Sequence, residues 1–170
     1  AGWDIVMKNN IVINPIAHTA VVSALWYTWA APQTKEMFGK NGLIRKRLEQ
    51  EIDFRSPLYS TRYPSLLPYL DVIVEGKEWE GMRARGNMLE GNLIVGGPEN
   101  PIELLGGKYA QMDGKNNWVT KEDPGFVDMK NKNFNLKPDA KAYQMIPGFE
   151  PIPFDKMGTY KDAFRKSEKL

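Results

Sequence analysis

The sequence predicts an all-β solenoid, in which short strands stack as successive coils. Three segments share one pattern: an asparagine, then β-branched or large apolar residues, then a polar or glycine stop. Such stretches bounded by turn residues are typical of strands. They cover residues 9–14, 91–96 and 116–120. The second and third copies are 25 residues apart, and a spacing of this size is typical of stacked repeats. The pattern leaves open the alternative of ordinary strands that end in Asn or Gly turns.

Composition excludes several classes of protein and of site. The chain has 170 residues, 42% hydrophobic and 26% charged, which excludes a disordered protein. A net charge of +2 is too even to indicate a nucleic-acid or membrane surface. With no cysteine and a single histidine, His18, neither a thiolate nucleophile nor a multi-histidine metal site is available. Hydrolytic chemistry must therefore use carboxylates, Lys, Tyr, Arg or His18, and we predict no metal or cofactor.

Two further segments are predicted to continue the coils. Residues 101–106 form a strand between the second and third copies, and residues 17–22 are its counterpart after the first copy. Asparagine suits the turns of such a fold, because it tolerates left-handed backbone angles and its amide can bond to the neighbouring coils.

The interval 26–80 does not fit the spacing and is predicted to be an insertion. Within it, residues 42–53 are predicted to form a helix, because Ile44, Leu48 and Ile52 recur every four residues. Prolines then divide the chain into short turns at positions 57, 64 and 68. Residues 147–170 are predicted to form an irregular cap followed by a solvated tail, since the Pro and Gly content rises there.

The C-terminal third carries a resemblance to a known family. Residues 123–128 (DPGFVD), 133–139 (NFNLKPD) and 148–160 (GFEPIPFDKMGTY) resemble the closing segment of right-handed parallel β-helix proteins. These are carbohydrate-active proteins of the pectate-lyase-like superfamily. The similarity runs over roughly residues 9–160. It implies a right-handed parallel β-helix of about three C-terminal coils, with a partly helical insertion and an irregular cap.

The resemblance also implies a longer protein, because such β-helices have more coils than are recognisable here. Residues 1–170 would form the C-terminal part of one β-helix domain. The missing N-terminal coils would then be its partner, as a covalent or a separate chain. The N-terminus shows no signal-peptide pattern. A secreted or periplasmic location is nevertheless what the resemblance implies.

His18 and Glu103 are the candidate catalytic residues. In related sequences, an Asp and an Arg follow the histidine where this chain has Ala20 and Val22. The loss of both puts catalysis at this coil in doubt. The alternative for His18 is a strand histidine bonded to the next coil. Glycoside hydrolysis requires two carboxyl groups about 5–9.5 Å apart, and acids on stacked strands about 4.8 Å apart can satisfy that spacing.

The candidate substrate-binding residues are aromatic or basic and lie within the insertion. They are Trp26, Tyr27, Trp29, Arg62 and Tyr63. Exposed aromatic faces stack against sugar rings, and arginine can bind acidic glycans. The alternative is that the aromatic residues anchor the insertion while the arginines belong to a solvated helix face.

These features predict a protein that acts on a polysaccharide or oligosaccharide, with no nucleic-acid or membrane partner. Glycoside hydrolysis is favoured over lyase chemistry, because the acids at residues 113, 122 and 123 are too sparse for a calcium site. The alternative is a non-catalytic carbohydrate-binding or structural β-helix. Ala20 and Val22 suggest it, because related sequences have Asp and Arg at these positions. A polysaccharide lyase remains a further alternative.

Overall fold

A computed structural model describes residues 2–23, 27–68, 70–71, 73, 75 and 77–157. The side chains of residues 27–32, 79 and 82 lie outside this description. Eight of the strands form three rows. The first row has β1 (Val6–Lys8), β2 (Ile11–Ile13) and β3 (Ala20–Ser23); the second has β4 (Met88–Glu90), β5 (Leu93–Val95) and β6 (Ile102–Leu105); the third has β7 (Asp113–Lys115) and β8 (Trp118–Thr120).

Corresponding strands of successive rows pair in parallel. The sheets have the order β1-β4-β7, β2-β5-β8 and β3-β6. The register aligns Lys8 with Glu90 and Lys115, and it aligns Val21 with Glu103. Each row therefore lies against the next with equivalent residues side by side.

The bend between the first two strands of each row needs a left-handed backbone conformation. Asn9, Gly91 and Asn116 occupy this position with φ of 55°, 61° and 54°. Asparagine and glycine are the residues that adopt such angles at least cost. The sequence pattern of Asn or Gly before each second strand thus has a direct conformational cause.

Side chains that alternate toward the inside of the rows form the first core. Leu89 and Ile94 of the second row are completely buried, and Ala20 and Met112 pack with them. The residues Met7, Val12, Val22, Ile102 and Val119 pack against this group and are partly buried. The second row is the best protected, because it has a row on either side.

A helical segment connects the first row to the second along the chain and has its own core. Its helices are α1 (Tyr27–Phe38), α2 (Leu43–Lys46), a π-helical continuation (Arg47–Ile52) and α3 (Pro57–Arg62). Phe38, Phe54, Leu70 and Ile73 are buried together there. The predicted four-residue periodicity does not persist to Ile52, which is 39% exposed. The wider π-helical turn, with i→i+5 bonds, rotates this side chain away from the core.

The C-terminal segment covers the outer face of the β2-β5-β8 sheet. It contains an antiparallel pair, β9 (Phe126–Asp128) and β10 (Asn133–Leu136), and the short helix α4 (Ala142–Met145). Its buried side chains pack on Leu93 and Val95; they are Phe126, Ala142, Ile146 and Phe149. Short 3₁₀ turns complete the chain at 64–66, 78–82, 107–109, 129–131 and 154–156.

The predicted all-β fold class was wrong. The structure has 29% helix and 25% strand, and its short parallel and antiparallel sheets form neither a closed nor a solenoid sheet. Two physical reasons account for this. Equivalent residues of successive rows are separated in sequence by 82 and then by 25 positions, because the helical segment is inserted in the chain after the first row. In addition, the chain reverses direction between β9 and β10, at residues 129–132, so that β9 pairs with β10 and adds no strand to β3 and β6.

The backbone that leads into β9 requires a glycine at position 125. Its φ is +106°, and a Cβ atom there would lie 2.8 Å from the Cβ of Ala140. The preceding turn is closed by Asp123, whose Oδ1 accepts hydrogen bonds of 2.9 Å from the N–H groups of Gly125 and Phe126. The N–H of Phe126 first, and that of Gly125 next, hold the pKa of Asp123 below its usual value.

Replacing Asp123 with asparagine is expected to make stability less dependent on pH in the acid range. A folded-state pKa below the unfolded value contributes stability that is complete above about pH 4 and is lost as the pH falls further. Asparagine keeps an acceptor oxygen but does not titrate. Urea unfolding at several pH values should therefore give the wild type a higher free energy of unfolding than the variant above pH 5. This difference should shrink toward pH 3. A difference that stays constant with pH would contradict this role.

Candidate functional site

His18 and Glu103, the two predicted catalytic residues, lie together on the β3-β6 sheet. Glu103 is the second residue of β6, and the register places it beside Val21 of β3. His18 lies two residues before the start of β3, at the same end of this pair of strands. The distance from His18 Nε2 to Glu103 Oε1 is 3.9 Å, and the side chains are 27% and 40% exposed. The pair is therefore open to solvent and to a ligand.

Asn100 orients the histidine ring. His18 Nδ1 lies 2.8 Å from the backbone oxygen of Asn100, and the Asn100 side chain accepts a 3.1 Å hydrogen bond from the N–H of Ile102. A carbonyl oxygen only accepts, so Nδ1 is the donor and carries a proton. Nε2 is thereby directed to Glu103 and to solvent. Asn100 was not predicted as a site residue; only its spacing of 82 residues from His18, equal to that of the asparagine pair 10 and 92, could have pointed to it.

A cleft of about 360 Å³ adjoins the same loop. Its lining includes Glu99, Asn100 and Ile102 from the second row and Lys115 and Asn117 from the third. Clefts of roughly 300–1,000 Å³ hold small ligands. Because Asn100 contacts His18 and also lines this cleft, the exposed pair and the cleft form one polar surface. We call it the His18 surface, made of His18, Glu103, Asn100 and the cleft.

The parallel sheets that the structure describes do not pair two acids, although stacked strands have a spacing that would allow it. Glu103 has Val21 beside it, Glu90 has Lys8 and Lys115, and Asp113 has Met88. No two acids are aligned in the parallel sheets that the structure describes. Nor do the described residues include a group of three or more His, Asp or Glu arranged to hold a metal ion. The His18 surface can thus donate and accept hydrogen bonds, but the two-carboxylate arrangement is not built by these strands.

The predicted substrate-binding residues are placed elsewhere or lie outside the description. Arg62 ends α3 and Tyr63 follows it; both are exposed, with the guanidinium carbon 6.0 Å from the Tyr63 ring centre. No described contact joins this pair to His18 or Glu103. Tyr27 and Trp29 belong to α1, but their side chains, like the whole of Trp26, lie outside the described residues. Their proposed stacking role stays a prediction.

A second, larger cleft lies within the helical segment. It has a volume of about 810 Å³ and is lined by residues of both charges, including Lys35, Glu36, Glu75 and Glu78. Arg45 closes one side by donating to the backbone oxygen of Ile73 over 2.8 Å. The sequence did not predict this cleft, because Ile73, Glu75 and Glu78 approach α1 and α2 only in the folded chain. Its mixed charge indicates no particular ligand.

The lowered pKa values of the described carboxyl groups occur away from the His18 surface. Besides Asp123, they include Asp128, where the side-chain amide of Asn131 and then its backbone N–H hold the pKa down. Both residues stabilise turns beside β9. Their lowered pKa values therefore result from turns in the C-terminal segment that packs on the β2-β5-β8 sheet, which we call the C-terminal cover. They do not indicate a catalytic group.

Comparison with protein-family models, with curated protein sequences and with solved structures finds no significant match to this chain. Over the described part of the chain, none of the helices has the length and apolar character that crossing a bilayer requires. The geometry of the His18 surface is thus the basis for a functional proposal.

Proposed function

We propose that this protein binds an oligosaccharide or polysaccharide at the His18 surface without cleaving it. The observation that carries the proposal is the exposed contact between His18 and Glu103, joined through Asn100 to a polar cleft. Sugar hydroxyls both donate and accept hydrogen bonds. This surface offers them an imidazole nitrogen, a carboxylate and amide groups within one open area.

Binding is favoured over glycoside hydrolysis because of the strand register. Retaining and inverting hydrolysis both require a second carboxyl group at a defined distance from the first. The residue paired with Glu103 on the neighbouring strand is Val21, and an apolar side chain can neither activate water nor form a glycosyl intermediate. Binding by hydrogen bonds has no such requirement. A secreted or periplasmic location, where glycans are met, is part of the same proposal.

The test is a titration of oligosaccharides into the wild type and two variants, His18→Ala and Glu103→Gln. The probes are a neutral β-1,4-linked glucose hexamer and an α-1,4-linked oligogalacturonate. Each variant should bind the preferred probe about three- to tenfold more weakly, the effect of losing one hydrogen bond to a ligand. The matched control is Glu122→Gln, which removes the charge of an exposed glutamate on the loop after β8 and should bind as the wild type does.

Prolonged incubation with each probe separates binding from catalysis. New reducing ends that disappear in Glu103→Gln would make the protein a hydrolase and contradict the binding proposal. Binding that is the same in all three variants would place the glycan site elsewhere. Failure of both probes to bind the wild type would count against a carbohydrate ligand.

A further inference from the structure

The first row presents unpaired strand edges. In the described sheets, β1, β2 and β3 each have a neighbour on one side only, whereas β4 and β5 have neighbours on both. The outer N–H and C=O groups of an edge strand are a template for pairing with another chain. We propose that the outer edge of β1 and β2 binds a strand–turn–strand segment of a partner polypeptide. This inference does not depend on the proposed glycan binding.

The apolar end of the first row supports the proposal. Met7 and Val12 are partly buried, although their counterparts in the second row, Leu89 and Ile94, are completely buried. The difference arises because the second row is covered on both sides and the first row on one. A segment lying on the first row would bury these side chains as the second row buries Leu89 and Ile94. Apolar burial of this kind is the main source of binding free energy.

The asparagine ladder shows what the partner segment must donate. Asn10 donates to Asn92 Oδ1 from its backbone N–H over 3.0 Å and from its side chain over 2.8 Å. Asn92 donates to Asn117 Oδ1 in the same way, over 3.0 and 2.8 Å. Each asparagine thus accepts from the row before it. No described donor reaches Asn10 Oδ1, which leaves the first acceptor of the ladder open to an asparagine of the partner.

The charges of the rows indicate that the partner segment has an acidic residue two positions before its asparagine. Lys8, Glu90 and Lys115 are aligned, and Glu90 Oε1 lies 3.9 Å from Lys115 Nζ. The first row has Lys8-Asn9-Asn10, and the third row repeats the same three residue types in Lys115-Asn116-Asn117. The third row is covered by Glu90-Gly91-Asn92. The same pattern, an acid followed by a residue that accepts a positive φ and then asparagine, therefore fits the first row.

A second copy of this chain fits poorly. The edge strands that a copy can offer in the same direction are those of its third row, which would bring Lys115 against Lys8. Like charges directly opposite each other on paired strands are destabilising. The segment with the fitting pattern, residues 88–95, is already held between the first and third rows of its own chain. The occupant is thus a different polypeptide segment. Lys8 also disfavours pairing of this edge with the same edge of a second copy, since the two lysines would repel each other.

The proposal is tested with a capped peptide that has the sequence Gly86–Gly97 of this protein, titrated into the full ¹⁵N-labelled chain. Amide shifts are expected at β1, β2 and their turn. A peptide with the Glu90→Lys change should bind about two- to fivefold more weakly, as for an exposed ion pair. In the protein variant Lys8→Glu this preference should reverse. The peptide with Asn92→Asp, whose side chain cannot donate to Asn10 Oδ1, should bind about three- to tenfold more weakly.

Each outcome bears on the proposal. Shifts at the first row together with the reversed charge preference support it. Absence of binding, or binding that is indifferent to both charge changes, overturns it. Shifts at β7 and β8 would mean that the peptide displaces the second row, which also overturns it. Self-association of the chain that becomes stronger in Lys8→Glu would identify a second copy as the occupant and reject a different partner.

Discussion

Replacing Asn92 with alanine is expected to lower the free energy of unfolding by about 3 kcal/mol or more. The Asn92 side chain is fully buried and donates to the backbone oxygens of Met7 and Glu90, each over 3.0 Å. It also bonds to Asn10 and Asn117 in the ladder. Alanine would leave several of these groups without a partner inside the rows. A buried polar group without a partner costs about 1–3 kcal/mol, and the losses here occur together.

Urea unfolding followed by circular dichroism measures the effect. The matched control is Asn10→Ala, which removes the same side chain from the exposed end of the same ladder. This variant should cost about 1 kcal/mol, because Asn92 Oδ1 keeps the hydrogen bond from the backbone N–H of residue 10 and the other partner, the oxygen of Lys8, belongs to an exposed residue. Equal losses in the two variants would show that the contribution of the ladder to stability does not depend on burial.

Replacing Phe126 with alanine is expected to lower the free energy of unfolding by about 3–5 kcal/mol. Phe126 is 1% exposed and belongs to the cluster that joins the C-terminal cover to Leu93 and Val95. Its ring meets that of Phe134 edge to face, with the ring centres 5.7 Å apart. The substitution removes this contact and leaves a cavity between the cover and the β2-β5-β8 sheet. Both effects act in the same direction.

The comparison variant is Phe134→Ala, at a ring that packs against the same cluster but is only partly buried. It should cost less than Phe126→Ala, because water can occupy part of the space left by the ring. Chemical denaturation of both variants, with near-ultraviolet circular dichroism as a second probe, checks the order. A Phe126→Ala variant that unfolds like the wild type would mean that the cover contributes little to the stability of the rows.

The behaviour of asparagine illustrates how far the sequence could predict the rows. Turn asparagines were expected both to adopt left-handed angles and to bond to neighbouring strands. The structure divides these roles between adjacent residues: Asn9 and Asn116 have positive φ, whereas Asn10, Asn92 and Asn117 form the ladder. The first role is a local backbone property and can be read from residue type. The second depends on which rows become neighbours.

The candidate site shows the same division. His18 and Glu103 were selected for their chemistry, and the pairing of β3 with β6 places them 3.9 Å apart. Asn100, which orients the histidine, was not foreseen because it acts through its backbone oxygen, a group that every residue has. Arg62 and Tyr63 were predicted to bind the substrate because aromatic and arginine side chains suit glycans. They end a separate helix, and no described contact links them to the pair.

The sequence by itself determined where short strands and turns occur. β-branched residues favour extended backbone, and an Asn or Gly permits the bend that precedes each of β2, β5 and β8. Only the tertiary structure decided the fold class. The helical segment acquired its own core around Phe54, and the chain reversed between β9 and β10, so the parallel sheets stop after two or three strands. The physical reason is range: local propensities act over a few residues, whereas register and packing join residues 82 positions apart.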